Sequence, residues 1–479
     1  MAAVGQQQWG SRFGFIMAAV GSSVGLGNFW RFPFTAGENG GAAFILIYIG
    51  CVILFGLPVL MAEYMLGRRS QRSAISGISY LAKEDGKSGA WVSLAWVGSL
   101  AAFIILTFYM VISGWILAFV PQAFSGVFAG FEAEAARLTA EAQAADPNAA
   151  ATTLADVSGS NFGATISNKP MMLGALAIFI AINTFIVSRG VKGGIERAAT
   201  LLMPAFFILL VGIVIFGLVV GDGARAAEFL LAPDFSKVTF GTYLAAVGQA
   251  FFSIGVGSCL MVTYGSYLSR DTNIGRSSGI VASADTMVAI IAGFAIFPLV
   301  FAFGASPNAG PGLFFVTLPT AFAQMPAGTL IGGLFFTLAL FAALTSSISL
   351  MEVSVAYLSE KMGRVAAAVS TGVVLFLIGA MYIFDGSLID YADFISGQIM
   401  LPLGGILVAV FAGWVLSRNL LVDELGNDTL FSIWRFACRF VVPPAVAFIL
   451  VFGAMDTMQN NGWVNLPSFL LEYLGPNAS

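Results

Sequence analysis

Histidine is missing from this 479-residue chain, and only 10% of its residues carry a charged side chain. Without histidine the commonest general base and the commonest zinc ligand are gone, which argues against hydrolytic and zinc-dependent chemistry. An ordinary soluble domain is roughly a quarter charged, so this chain has too little polar surface to cover a soluble fold. Cysteine is scarce as well. Cys51, Cys259 and Cys438 all fall inside apolar runs, where neither their number nor their spacing suggests a disulfide framework or a metal site. No nucleophile has a base beside it, so an enzyme is not expected. The net charge of −4 comes with no nucleic-acid partner in prospect.

What the chain has in excess is apolar residues, 58% of the total, with a mean hydropathy of +0.91. Several runs exceed the roughly 18 apolar residues that mark a membrane-spanning helix. The pattern predicts an all-α polytopic membrane protein, and its punctuation gives about eleven spans of bilayer length. They begin near Arg12, Gly41, Gly89, Pro170, Ile195, Gly241, Asn273, Gly328, Arg364, Asp390 and Ser432. The segment after Trp463 is too short and polar for a twelfth. The polar start at Gln6, Gln7 and Gln8 runs straight into the first apolar helix, which is expected to be retained.

Lys and Arg collect on the cytoplasmic side of membrane helices. With the N-terminus inside, every basic residue except Arg31, Arg137, Lys169, Arg225 and Lys237 falls in a cytoplasmic segment. This predicts a plasma (inner) membrane protein with a cytoplasmic N-terminus and, after eleven spans, an external C-terminus. The Ala-rich loop from Ser125 to Lys169, with Glu132, Glu134, Glu141, Asp146 and Asp156, is then external. It reads as a solvated connector with room for a short surface helix.

Two spans are not continuous apolar rods. The first carries Gly21, Gly25, Gly27 and Asn28 at its middle and the sixth carries Gly255 and Gly257. Each glycine lowers helix propensity by about 1 kcal/mol. Unwinding in lipid strands backbone polar groups unless they line a cavity or bind something. The two interruptions lie five spans apart, as expected for inverted repeats. The domain reading is therefore 1–220 for the first repeat, 221–418 for the second, and 419–479 for span 11 with an external tail.

The stretch GSSVGLGNFWRFPFTAGENGGAAF from Gly21, with GQAFFSIGVGS from Gly248, LTSSISLMEV from Leu344 and YADF from Tyr391, resembles the neurotransmitter:sodium symporter family, in particular its bacterial amino-acid transporters. The resemblance covers nearly the whole chain. It implies ten helices in two inverted halves and alternating access between outward-open and inward-open states. It implies two sodium sites. The first would use Ser23, Asn28, Ser253 and Asp285, with the substrate carboxylate completing the shell. The second would use Gly21, Val24, Ala342, Thr345 and Ser346. Hard cations want oxygen ligands, and helix breaks supply carbonyls without adding net charge. Taken alone, Thr345, Ser346 and Ser347 read equally well as small residues for close helix packing.

Asp285 stands out independently, because an ionisable side chain near mid-span is expensive and functional by default. Chloride-dependent relatives carry Asn at the matching position, so no chloride requirement is expected here. By the same resemblance the substrate, an amino acid, would bind at Ser23, Leu26, Gly27, Tyr109, Phe252 and Ser253. Its side chain would lie among Leu26, Ile105, Phe252, Gly255, Ser258, Ser346 and Leu350. Ser258 stands where a leucine-selective relative has phenylalanine, which implies a larger pocket and large hydrophobic or aromatic substrates.

Arg31 and Asp393 match the family's outer gate, with Phe252 and Tyr109 as the lid beneath. At the inner gate Gln6 replaces a basic residue and its partner position is Glu360, so closure is expected to rest more on Trp9 and Tyr267. The rival reading is a sodium-independent exchanger of related architecture, against which Asn28, Ser253, Asp285, Thr345 and Ser346 discriminate. The sequence carries no signal for oligomeric state.

Overall fold

A computed structural model describes residues 7–304, 312–460, 462 and 464. Among these residues all regular structure is helical. Nine helices are long and apolar enough to cross a bilayer: Ala42–Ser70, Gly89–Phe124, Lys169–Ser188, Val191–Val220, Ile274–Ala302, Gly328–Met362, Arg364–Phe384, Ser387–Val415 and Asp428–Met455. Arg12–Ser23 and Gly27–Glu38 make one further span, bent by 47° at its break. Phe240–Ile254 and Leu260–Ser266 make another, broken between the two halves. These are numbered spans 1 to 11 in chain order. Their starts fall within a few residues of the expected ones, and both interrupted spans are interrupted where the glycines stand. The expected external tail after Trp463, and Gln6, lie outside the described residues.

Wide i→i+5 turns recur, most of them ahead of a proline. Five of the seven among the described residues occupy Gly27–Arg31, Val52–Gly56, Leu313–Thr317, Phe394–Met400 and Ala437–Val441, each ending two residues ahead of Pro33, Pro58, Pro319, Pro402 or Pro443, while Val191–Ile195 and Phe411–Val415 have no such proline. Proline has no N–H to give and its ring crowds the carbonyl four residues back, so the helix widens locally to re-register its bonds.

Spans 3 and 8 pack along each other at the centre, and spans 5 and 11 are the least covered. Large apolar side chains such as Leu201, Ile208, Val219 and Leu377 point outward, as lipid-facing residues should. Lipid gives helices no hydrophobic reason to associate, so small residues set the close contacts. Gly67 of span 2 and Gly265 of span 6 are such contacts. A Cβ on Gly67 would overlap the Val262 carbonyl, and one on Gly265 would come 2.9 Å from the Tyr64 carbonyl.

The connector after span 3 holds two helices, Phe131–Ala145 and Leu154–Ser167, where one short helix was the expectation. The second starts on a capping box in which Thr153 and Asp156 exchange bonds. The Thr153 hydroxyl and N–H hold the Asp156 carboxyl below its ordinary value. Short helices also occupy Ala74–Glu84, Gly223–Leu231, Leu318–Gln324 and Arg418–Leu425. The last is pinned to span 2 by the buried Arg68–Glu424 ion pair at 2.6 Å.

Candidate functional site

Span 1 unwinds because Val24 turns extended (φ −76°, ψ 96°) after its N–H closes the last bond to Val20. The freed Gly25 N–H is caught by Asn28 Oδ1 at 3.1 Å, while the Asn28 amide nitrogen donates to Ser253 Oγ (3.1 Å), Asp285 O (3.0 Å) and Asp285 Oδ1 (2.8 Å). Ser253 Oγ donates to both carboxylate oxygens of Asp285 (2.9 and 2.8 Å), and the Tyr48 hydroxyl donates to Oδ2 at 3.2 Å. Asn28, Ser253 and Asp285 are all buried. Among the described residues, every group bonded to the Asp285 side chain is neutral, and no ion pair reaches it. Ser23 Oγ reaches across to Ile254 O at 3.4 Å, so the two breaks meet here.

Span 6 stops because Gly255 (φ +73°), Gly257 (φ +87°) and Cys259 (φ +58°) turn left-handed in succession. The first two explain why glycine stands there. The amides freed by this turn are held by a residue that sequence reasoning passed over. Glu63 of span 2, fully buried, accepts from Gly257 N at 2.6 Å and Met261 N at 3.1 Å. The signal was present, since Glu63 is an ionisable side chain in mid-span and the rule that singled out Asp285 applies to it equally.

The second group of expected ligands also gathers. Ser346 Oγ lies 3.4 Å from Gly21 O, and Thr345 Oγ1 lies 3.1 Å from Ala342 O. A Cβ on Gly21 would stand 3.1 Å from Thr345 Cβ, and Val24 is buried. A Cβ on Gly25 would overlap the Ser346 hydroxyl and come 3.2 Å from the Tyr109 hydroxyl, so two expected site residues converge on one glycine.

Next to the breaks lies a cavity of about 790 Å³, whose wall includes Leu26, Tyr109, Phe252, Arg31 and Asp393. Tyr109 Oη accepts from Leu26 N at 3.4 Å. Ile105, Gly255, Ser258, Ser346 and Leu350 are not part of that wall. Ser258 folds onto its own turn, donating to Gly255 O at 2.6 Å, and a Cβ on Gly255 would meet open space. The Arg31 guanidinium lies 4.4 Å above the Phe252 ring. Among the described residues no ion pair joins it to Asp393, and the cavity runs on past both to Glu38, Asn39 and Lys237, so this end of the bundle stands open.

The opposite end is shut. Trp9 donates from Nε1 to Tyr264 O (3.2 Å) and from its backbone to Tyr267 O (3.3 Å), with its ring against both tyrosines. Glu196 of span 5 accepts from Gly10 N (2.6 Å) and Ser11 Oγ (2.8 Å), and Gln7 Oε1 accepts from Val191 N at 3.0 Å. Glu360, expected opposite Gln6, which lies outside the described residues, accepts from Ser73 N (3.3 Å) and Ser76 Oγ (2.6 Å). Glu352, two helical turns deeper on the same span and fully buried, accepts from Tyr267 Oη at 2.6 Å and pairs with Arg364 at 2.6 Å. Burying a carboxylate is costly unless it is paired or well hydrogen-bonded, and Arg364 at the start of span 9 supplies the pairing cation here.

A family model described as the sodium:neurotransmitter symporter family matches residues 6–470. The uncharacterized sodium-dependent transporter YhdH of Bacillus subtilis is 37% identical over 463 residues, which is 93% of this chain and 96% of YhdH. An uncharacterized sodium-dependent transporter of Haemophilus influenzae is 34% identical over 466 residues, covering 93% and 98%. The crystal structure of MhsT in complex with L-phenylalanine matches at a TM-score of 0.81 and 39% identity, over 93% of this chain and 99% of MhsT.

Proposed function

This chain belongs to the sodium:neurotransmitter symporter family, transporters and not enzymes, and on that footing we propose that it carries an amino acid into the cell with sodium. The observation that carries the proposal is Asp285, a buried carboxylate bonded only by neutral groups, set where two unwound helices meet. A cation with a preference for oxygen, supplied from outside, completes such a site. Asp285, Ser253, Asn28 and the Ser23 carbonyl form the first sodium site in this reading. Asn28 contributes through its amide oxygen, which must then leave the Gly25 amide. Gly21, Val24, Ala342, Thr345 and Ser346 form the second.

The substrate's carboxylate faces the amides of Leu26 and Gly27 and the Tyr109 hydroxyl, and its amine faces carbonyls of Ser23, Phe252 and Ser253. A zwitterion suits this arrangement because the breaks present both poles of the backbone together. MhsT, the solved relative, is bound to L-phenylalanine. That agrees with the reading of Ser258 and Gly255 as an enlarged pocket for large hydrophobic or aromatic side chains.

With the N-terminus cytoplasmic, the open end faces outward and the Trp9 end is the closed inner gate. Substrate and sodium draw Arg31 toward Asp393 across Phe252, and release of the Trp9, Glu196 and Glu352 contacts then opens the path inward. The two inverted repeats, 1–220 and 221–418, supply the moving halves. Each sodium entering through the full potential contributes about 2.3 kcal/mol per 100 mV. Because Asp285 supplies a fixed negative charge, transport proceeds without chloride. Competition against labelled phenylalanine in sodium-driven proteoliposomes tests the substrate class: tryptophan, tyrosine and leucine inhibit strongly and glycine weakly. Inhibition by glycine equal to that by the large side chains overturns the enlarged pocket.

A further inference from the structure

At the end of the bundle that holds Trp9, spans 10 and 11 meet in a groove that belongs to none of the sites above. Span 10 finishes in a wide turn, Phe411–Val415, and Leu416 turns extended, so the carbonyls of Gly413 and Leu416 have no helical donor. Two arginines of span 11 take them. Arg435 Nε and Arg439 Nε both donate to Gly413 O, at 2.9 and 2.7 Å, and the Arg435 Nη2 donates to Leu416 O at 2.9 Å. The contact is close because a Cβ on Gly413 would stand 3.1 Å from Cys438 Cβ. The Arg439 carbonyl is free in turn, since the residue four places on is Pro443. It accepts from Trp414 Nε1 at 3.1 Å.

Capping the end of span 10 accounts for one edge of each guanidinium. It leaves the outer edges of Arg435 and Arg439 uncommitted, held as a fixed pair by the shared carbonyl. Arg418 stands nearby, over the same Phe431 ring as Arg435, at 5.1 and 5.7 Å from its centre. The nearby acids do not balance them. Among the described residues the ion pair made by this trio is Arg418–Asp428 at 2.7 Å, with Asp428 79% exposed, and Glu424 is taken by Arg68. A surplus of positive charge therefore sits at the lipid-facing edge of the bundle.

The surroundings fix its depth and its partner. Trp414, Phe436 and Phe440 are each more than half exposed, the Trp414 and Phe440 rings meet at 5.3 Å, and Arg439 lies over the Trp414 ring at 5.2 Å. An exposed tryptophan beside arginines on an apolar wall marks the headgroup level of a bilayer. Planar guanidinium pairs suit phosphate oxygens, and basic pockets between spans take anionic headgroups.

We propose that the groove between the inner ends of spans 10 and 11 is a binding site for one anionic phospholipid. The phosphodiester is held by Arg435 and Arg439, and an acyl chain lies along Trp414 and Phe440. The proposal stands apart from the transport reading and does not depend on it.

Native mass spectrometry of the full chain, incubated with equal phosphatidylglycerol and phosphatidylcholine of identical acyl chains, tests it. The expected result is retention of phosphatidylglycerol by roughly tenfold or more over phosphatidylcholine, falling to no preference in an Arg435→Gln, Arg439→Gln double variant. Because loss of the caps could unfold that variant, a second measurement uses intact arginines. Brominated-chain phosphatidylglycerol should quench Trp414, isolated as the difference from Trp414→Phe, more strongly than brominated phosphatidylcholine. Equal retention of the two lipids by the native chain, equal quenching, or an undiminished preference in a folded double variant overturns the proposal. So does removal of the preference by millimolar inorganic phosphate, which would reassign the groove to a free anion.

Discussion

Replacing Glu63 by glutamine keeps the shape of the side chain and removes its charge. The carboxylate accepts from Gly257 N at 2.6 Å and Met261 N at 3.1 Å, and those amides are free because span 6 is unwound between Ile254 and Leu260. Hydrogen bonds to a charged group contribute about 1.5–3 kcal/mol each, and a buried donor left unpaired costs about 1–3 kcal/mol. Glutamine can accept through one oxygen, but its NH2 then confronts the other amide. The net loss is about 3 kcal/mol, a factor of roughly a hundred in the equilibrium that holds the turn in place. Heating the purified variant in detergent and following its monodisperse fraction should show a midpoint several degrees below the native one. Initial uptake in proteoliposomes should fall by about tenfold or more, since the turn presents the Phe252 and Ser253 carbonyls. Native stability together with native uptake in Glu63→Gln would refute the idea that this carboxylate holds the break open.

Gly25→Ala places a methyl group against the Ser346 hydroxyl and 3.2 Å from the Tyr109 hydroxyl. Half-saturation by sodium should rise at least fivefold with little loss of folded protein, because the short Ser346 side chain can rotate away at the expense of the ion site. Arg364→Gln leaves Glu352 buried without its cation, a cost of about 3–5 kcal/mol, relieved by letting Tyr267 and then Trp9 go. Hydrogen exchange at Trp9 and Gly10 should accelerate by roughly tenfold, whereas Glu360→Gln should leave both amides as protected as in the native chain.

The spans were legible because apolar length and Lys/Arg punctuation are local properties, and the breaks were legible because glycines weaken the helix there, with φ positive at Gly255 and Gly257 of span 6 while span 1 opens where Val24 turns extended. Asp285 could be anticipated for a related reason, because a carboxylate in mid-span advertises its cost, whereas Asn28 and Ser253 beside it were expected from the family resemblance. Glu63 and Glu352 are buried carboxylates within spans of the same kind and are legible for the same reason. The inner gate was less legible. Glu352 and Glu360 lie on one helix, and which of them meets Tyr267 and Arg364 depends on depth within the bundle, fixed by how span 8 packs against spans 6 and 9. The role of Glu196 depends likewise on the chain near Trp9 folding back across span 5. The wide turns ahead of Pro33, Pro58, Pro319, Pro402 and Pro443 follow from proline chemistry, but proline alone does not place them, since Pro121, Pro204 and Pro298 sit inside regular helices.

The central claim is that Asp285, set between two unwound helices, is the fixed counter-charge of a sodium ion. Equilibrium binding of radioactive sodium to the purified chain in chloride-free gluconate medium measures this directly. The account predicts saturable binding that excess potassium does not displace, lost in Asp285→Asn and regained by that variant when chloride is supplied. Absence of saturable sodium binding to the native chain, or binding unchanged in Asp285→Asn without chloride, would contradict it.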